Sequence, residues 1–532
     1  MTMPFSWDFP YASRRSPVLA RNVVATSQPL AAQAGLQMLA TGGNAVDAAL
    51  AAAIALTVVE PNSNGIGGDA FAIVWDGQRL HGFNGSGRAP AAMTQDHFKG
   101  RVEMPEYGWE TVTAPGCVDA WVQLSERFGD LPFAQLFEPA VRYASEGFIV
   151  SPIIAGRWAY AVELHADRPD FQAAFAPGGG PPRAGECFRF PAQARTLESI
   201  AESNGASFYR GAIAAQIDAY AKSTGGLLTA DDLGAHRGDW VDCISQGYRD
   251  LRVHELPPNG QGLAALIALG ILGYHDFATH PADSADSIHL QMEAMKVAFA
   301  DVHRHVADPD YMEIGVEQLL DEEYLARRAG EIQMDRAAHP QATLRTDRGT
   351  VYLCAADDGG RMVSFIQSNF HGFGSGVVVP DTGISLHNRG AGFSLEPGHP
   401  NCVAPGKRPF HTIIPGFVTD HGGRPLLAFG VMGAHMQAQG QVQMVTRIFD
   451  YGQNPQAAAD APRWFVAPDF KIAMEPGVST GVRAELTRRG HRWMDDVDVD
   501  TGLFGGAQLV YRLNDGYCAA SDHRKDGQAV GY

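Results

Sequence analysis

The chain has 532 residues, with 41 Lys+Arg against 59 Asp+Glu and a formal charge of −18. That sign excludes recognition of nucleic acid or an anionic membrane by bulk electrostatics, and neither is expected as a partner. With 45% apolar and 19% charged residues the chain is globular, and its 60 glycines and 32 prolines make it loop-rich, not disordered.

Met1 to Pro17 carries prolines and Asp8 and no apolar run, so it does not read as a signal peptide, and a cytoplasmic protein is expected. Leu30 to Leu39 has a helical pattern ended by Gly42-Gly43. Asn44, with Asp47 three residues on, is placed to cap a second helix. That helix, through Val59, is apolar nearly all round, which predicts burial in a large core, and it is too short to span a bilayer. The glycine-rich run Asn62 to Phe71 leads into a strand at Ala70 to Trp75, with a hairpin turn at Asp76-Gly77. A helix-rich middle follows over roughly residues 117 to 335, with Pro177 to Pro182 as a surface loop. Tyr324 to Leu344 reads as an exposed, charged linker. Strands are then predicted at Val351 to Ala356, Met362 to Ser368 and Leu426 to Val431. The last meets Gly433 and a helix over Met436 to Tyr451. Strands at both ends with helices between them predict a mixed α/β fold whose sheets draw on both halves of the chain.

Several chemistries find no support. The six cysteines form no C-x-x-C, and neither H-E-x-x-H nor a phosphate-binding G-x-x-x-x-G-K-[ST] occurs. Gly477-Val-Ser479-Thr-Gly481 fits a nucleophile elbow formally, but Pro476 before it favours a surface turn. Gly65 to Ala70 spells G-x-G-x-x-A between a helix and a strand, the reverse of a dinucleotide site. Asp301, His303, His305, Asp308 and Asp310 read as an amphipathic helix running into a polar loop, so no metal and no cofactor are expected.

Thr350 is different. Gly349 before it can take backbone geometries closed to other residues, the preceding segment reads as cleavable, and a strand begins directly after it. Were the 349–350 bond to break, Thr350 would carry a hydroxyl nucleophile and an α-amine on one residue. A free α-amine has a pKa near 8 and can serve as the base. Gly430-Val-Met-Gly433-Ala434 joins a strand to a helix, where outward N–H groups make Gly433 and Ala434 candidate oxyanion donors.

These residues, with TGGNAVDAALAAAIALTVVEPNSNGIGGDAF, TAPGCVDAW, LPPNGQG, GTVYLCAADDGG, FGSGVVVPDTG, APGKRPFHTIIP and ASDHRKDGQAVGY, resemble the gamma-glutamyltranspeptidase family of N-terminal-nucleophile hydrolases over nearly the whole chain. The resemblance implies a four-layer αββα sandwich. It also implies a proenzyme that cleaves itself between Gly349 and Thr350, giving a large chain 1–349 and a small chain 350–532 that intertwine in one catalytic domain. By length these would be roughly 37 and 20 kDa. A homodimer of such processed heterodimers is left open. Thr350 matches the family's nucleophile, and Ser368 a Thr that hydrogen-bonds it. Gly433 and Ala434 fall on the oxyanion Gly-Gly pair. His411 and Thr412 fall where two serines bind the substrate carboxylate.

Other positions depart from the pattern. The family's Asp that grips the glutamyl α-amine falls on Gly392, within H-N-R-G-A-G-F, and Phe370 replaces an Asn that helps hold the amine. Arg389, beside Asn388, replaces a neutral or acidic residue. The family's carboxylate-binding Arg aligns with Ser86, with Arg88 two residues on. A carboxylate suited to an ammonium group is lost and a guanidinium is gained, which suits a carboxylate on the substrate. The substrate-binding candidates are therefore Arg88, Asn388, Arg389, His411 and Thr412, and the wording is similar to a divergent branch with oxamate amidohydrolases and cephalosporin-acylase-like proteins. The expectation is a self-processing amidohydrolase or acyltransferase on a gamma-glutamyl compound such as glutathione, or on a related small carboxylate-bearing amide. The alternatives are an oxamate-like or acylase-type enzyme without gamma-glutamyl activity, and a catalytically silent binding protein on the same fold.

Overall fold

The computed structural model describes residues 15–339, 349–495, 497 and 502–532. Two seven-stranded sheets dominate it, and every pairing in them is antiparallel. One runs Val18–Ala20, Tyr517–Ser521, Gly506–Arg512, Pro425–Met432, Gly416–Asp420, Leu251–Glu255, Ile244–Tyr248. The other runs Gln528–Gly531, Val23–Thr26, Val351–Ala356, Met362–Ser368, Asp69–Trp75, Leu80–Asn84, Asp239–Val241. Each sheet takes strands from both sides of position 350.

The central strands are buried on both faces, and alternate residues enter different cores. Tyr352, Cys354 and Ala356 point into a core shared with Phe417, Ala428 and Val510 of the facing sheet. Val351, Leu353 and Ala355 point the other way, onto the helices Pro29–Ala40 and Ala45–Val59. On the far side Val418, Leu427 and Phe429 pack under the helices Gly262–Leu272, Ala285–His305 and Met436–Val445. Three successive cores between helix, sheet, sheet and helix are the expected αββα layering, as the two-residue period of a strand dictates.

Local signals in the sequence map onto these elements. Asn44 and Asp47 form a reciprocal capping box on Ala45–Val59, every residue of which is buried. Gly77, with φ of 103°, turns the hairpin between Asp69–Trp75 and Leu80–Asn84. Ser479 caps the helix Thr480–Arg488 at a turn, so it is no elbow nucleophile. The expected linker Tyr324 to Leu344 is corrected in its first part. Glu322–Glu331 is a helix capped by Asp321, with Leu325 and Ala329 in the core. Residues 340–344 of that expectation, and residues 1–14 of the leading segment, lie outside the described residues. The middle is also less uniformly helical than expected, because Asp239–Val241, Ile244–Tyr248 and Leu251–Glu255 are sheet strands. Their short, half-polar patterns carry little periodicity. No described helix is long and apolar enough to cross a membrane.

Candidate active site

The site grows from the register of three neighbouring strands. Val351 lies opposite Gln367, and Ser368 lies opposite Asp69. Thr350, one step before its strand, therefore starts a row that continues through Ser368 to Asp69 at one end of the sheet. The Thr350 hydroxyl is 3.1 Å from Ser368 Oγ and donates to Gly349 O at 2.8 Å. Ser368 Oγ donates to the same carbonyl at 2.6 Å, and it accepts from Phe370 N–H at 2.8 Å and Arg389 Nη2 at 3.1 Å. With both serine lone pairs taken, its proton belongs to Gly349 O. The carbonyl before Thr350 is thus gripped and polarised by two hydroxyls.

Gly349 is required by space. A Cβ there would lie 2.6 Å from His371 C and from Phe370 O. Phe370 itself sits at φ 74°, unusual for an aromatic residue, and its N–H bond to Ser368 holds it there.

Arg389 is fully buried, and among the described residues no carboxylate lies within ion-pairing distance of it. Nη1 donates to Thr412 Oγ1 at 2.9 Å, and the guanidinium lies 4.1 Å from the centre of the Phe370 ring. Burial pushes its pKa down to about 9, with Asp69 opposing, so it stays cationic at neutral pH. Asp69 supplies the balancing charge from the next layer. Its Oδ2 is 3.0 Å from His411 Nε2, and its Oδ1 accepts from the N–H groups of Gly87 and Gly116. Burial alone would raise its pKa; His387, His411 and Arg389 outweigh that and hold it at about 2. His411 is lowered to about 3 by burial and by Arg389. Ile413 N–H donates to His411 Nδ1 at 3.3 Å, so the neutral imidazole carries its proton on Nε2 and gives it to Asp69.

The strand Pro425–Met432 ends at Gly433 (φ 124°) and Ala434 (φ 48°) before the helix Met436–Val445, whose N-terminus has no side-chain cap. Gly433 lines the cavity that Thr350 lines, a space of about 1130 Å³ also bordered by Gly349, Tyr107 and His371. Gln261 ties this turn to the Arg389 side, since its Nε2 donates to Ala434 O at 2.8 Å and Thr412 O at 2.6 Å.

The structure therefore gathers Gly349, Thr350, Ser368, Arg389 and Thr412 in one hydrogen-bonded group, and Gly433 borders the same cavity as Thr350, with Ala434 buried next to it. It places three other candidates elsewhere. Arg88 is half exposed and turns to Asp308 Oδ2 at 3.3 Å and Gly406 O at 3.1 Å. His411 is fully buried on Asp69, one layer behind the cavity. Asn388 spends its amide on backbone, accepting from His371 N–H at 3.0 Å and donating to Glu106 O at 2.8 Å. Asp69 and Gln261, unassigned in the sequence, were visible only as polar residues inside glycine-rich motifs. The described residues contain one cluster with metal-ligand spacing, His289, Glu293 and His491. The Lys296 ammonium already occupies it, 2.8 Å from Glu293 Oε1.

Comparison with known proteins decides the family, because the gamma-glutamyltranspeptidase family profile matches residues 31–532. The chain belongs to that family. It is 36% identical over 526 residues to the glutathione hydrolase-like YwrD proenzyme of Bacillus subtilis, covering 97% of this chain and 99% of that one. It is 35% identical over 516 residues to the oxamate amidohydrolase proenzyme of Klebsiella pneumoniae, covering 94% and 97%. A crystal structure of cephalosporin acylase from Bacillus halodurans superposes with a TM-score of 0.95 at 48% identity, covering 100% and 99%. This member of the gamma-glutamyltranspeptidase family is an N-terminal-nucleophile amidohydrolase proenzyme, an enzyme of amide hydrolysis or acyl transfer.

Proposed function

We propose that the protein cleaves its own Gly349–Thr350 bond and then hydrolyses small amides whose acyl part carries a carboxylate and no α-amine, such as a monoamide of a short dicarboxylic acid. The observation that carries this is Arg389, a buried guanidinium with no ion-pair partner among the described residues, one hydroxyl removed from Thr350.

In processing, the Thr350 hydroxyl attacks the Gly349 carbonyl carbon. Ser368 stabilises the oxygen as it gains charge; the C–N bond breaks, the Thr350 nitrogen takes up the hydroxyl proton and leaves as the α-amine, and water opens the ester to give the Gly349 carboxylate and the free Thr350 hydroxyl. In turnover, Thr350 Oγ attacks the substrate carbonyl and the new α-amine takes the hydroxyl proton. The Gly433 and Ala434 N–H groups hold the oxyanion, and water resolves the acyl-enzyme. Arg389 pairs with the acyl carboxylate, a bidentate match that a lysine would not reproduce. An α-ammonium group would meet Arg389 and Phe370, with no acid at Gly392 to receive it.

A second reading, gamma-glutamyl hydrolysis, is favoured by the resemblance to the glutathione hydrolase-like relative. Intact mass under denaturing conditions, followed by parallel assays with oxamate and gamma-glutamyl-4-nitroanilide, tests both. Two species split at 349/350 and turnover of oxamate support the main reading. Turnover of the glutamyl anilide alone supports the second, and a single 57.1 kDa species in active protein defeats both.

A further inference from the structure

The mechanism above leaves one proton unassigned. When the C–N bond of the substrate breaks, the departing nitrogen takes the electron pair and needs a proton. An alkylamine leaves as its anion only at prohibitive cost. The α-ammonium of Thr350 is one source, but the cavity wall holds another imidazole that no step has used.

His371 lines the cavity together with Glu106 and Tyr107. Its backbone abuts the junction, because a Cβ on Gly349 would strike His371 C and O. Its Nδ1 lies 3.5 Å from Glu106 Oε1, and the edge of Tyr107 meets its ring with centroids 5.6 Å apart. The pair is also fixed through the backbone. The Asn388 side chain accepts from His371 N–H and donates to Glu106 O, so one amide clamps both members of the dyad. Gly108 N–H, two residues past Glu106, donates to Ser375 O at 2.9 Å and anchors the Glu106–Tyr107 strap. An imidazole on the wall of the nucleophile's cavity, with a carboxylate 3.5 Å from its Nδ1, is an arrangement that suits a general acid.

We infer that His371, oriented by Glu106, is the general acid for the leaving amine. The inference rests on Thr350 being the nucleophile. In acylation the Thr350 hydroxyl proton passes to the α-amine and the Oγ–C bond forms. The C–N bond then breaks, and the imidazolium of His371 gives its proton to the departing nitrogen, becoming neutral. In deacylation His371 takes a proton from water as hydroxide adds to the acyl carbon. The ester C–O bond breaks, and Thr350 Oγ recovers its proton from the α-ammonium. Both groups return to their starting states.

The test compares two leaving groups on one acyl group, the 4-nitroanilide and the n-propylamide of oxalic acid, with the glutamyl pair as the second series. The nitroanilide departs with little need of a proton, whereas the propylamide cannot. His371→Gln should cut kcat on the propylamide about 100-fold or more while the nitroanilide falls less than about 5-fold. Glu106→Gln, at a half-exposed carboxylate, should produce the same bias at about 10-fold and serves if the His371 variant fails to process. Equal losses on both substrates, or none, would overturn the inference. Thr350→Ala in the same assays keeps the two ideas apart: turnover that survives it defeats the nucleophile, whereas the leaving-group bias reports on His371 alone.

Discussion

Arg389 Nη2 and Thr350 Oγ1 approach the same atom, Ser368 Oγ, each at 3.1 Å. A single serine hydroxyl therefore couples the cation that would recognise the substrate to the oxygen that would attack it. The guanidinium reaches this position because Arg389–Gly392 forms a tight turn against Thr111, where a Cβ on Gly390 would lie 2.7 Å from Thr111 O. The cost of burying the charge is offset by the Thr412 and Ser368 hydroxyls, the Phe370 face and the field of Asp69.

Replacing Arg389 by Met should raise KM for a carboxylate-bearing amide by about 10- to 100-fold, the worth of one charge-assisted pair. Arg389→Lys should recover little of it, since an ammonium cannot reach Ser368, Thr412 and a carboxylate in one planar fork. Steady-state kinetics on oxamate checks both. An unchanged KM in the Met variant would remove Arg389 from substrate recognition.

Ser368→Ala takes away one of the two donors to Gly349 O and leaves the Phe370 N–H and Arg389 Nη2 without their acceptor. Processing should slow by about 10- to 100-fold, and Ser368→Thr should restore it. The half-life of the 57.1 kDa precursor, followed by denaturing electrophoresis, gives the comparison. Equal half-lives for the Ala and Thr variants would leave the Gly349 carbonyl polarised by Thr350 alone.

What could be read in the sequence divides by physical cause. Thr350, Ser368 and the Gly433-Ala434 turn lie at strand ends within ordered motifs, and Arg389 stands out as a charge in an otherwise small-residue stretch. The partners of those residues were harder to find. Asp69 meets His411 across 342 positions of chain, a long-range contact that local pattern does not encode. Arg88 turns to Asp308, 220 residues away, a pairing that local pattern does not encode either. His371 and Glu106 come together through Asn388, which a reading by motif places on the substrate.

Acid should unfold the protein in part through the site. His411 has its folded pKa near 3 against about 6.5 in an open chain. As pH falls from about 6.5 towards 3, the unfolded chain binds a proton that the folded imidazole refuses, and stability drops. Asp69, held near 2, stays ionised below the ordinary carboxylate value and adds to the loss in the lower part of that window. His411→Gln keeps a donor for Asp69 and removes one titrating group. It should flatten the slope of unfolding free energy against pH by up to about 1.4 kcal/mol per pH unit between pH 6 and 4. Denaturant titrations at several pH values measure it. Parallel slopes for wild type and variant would mean that the folded imidazole takes up its proton in the same range as the unfolded one.

Gly349→Ala separates space from chemistry at the junction. The added methyl leaves the scissile carbonyl, the Thr350 hydroxyl and the Ser368 hydroxyl in the sequence, but it meets Phe370 O and His371 C, both at 2.6 Å. Real Cβ atoms do not approach backbone so closely, so the peptide must withdraw from the His371 wall. That withdrawal also pulls the Gly349 carbonyl from Ser368, and a shift of about 1 Å at a reacting centre costs on the order of 100-fold in rate. The variant should accumulate as full-length precursor. Once the Thr350 N-terminus is released by another route, such as co-expression of the two chains as separate polypeptides, full activity should return, because residue 349 takes no part in turnover. Rapid processing of the alanine variant would show that the His371 wall yields, and that the glycine at this position is not what sets the junction's geometry.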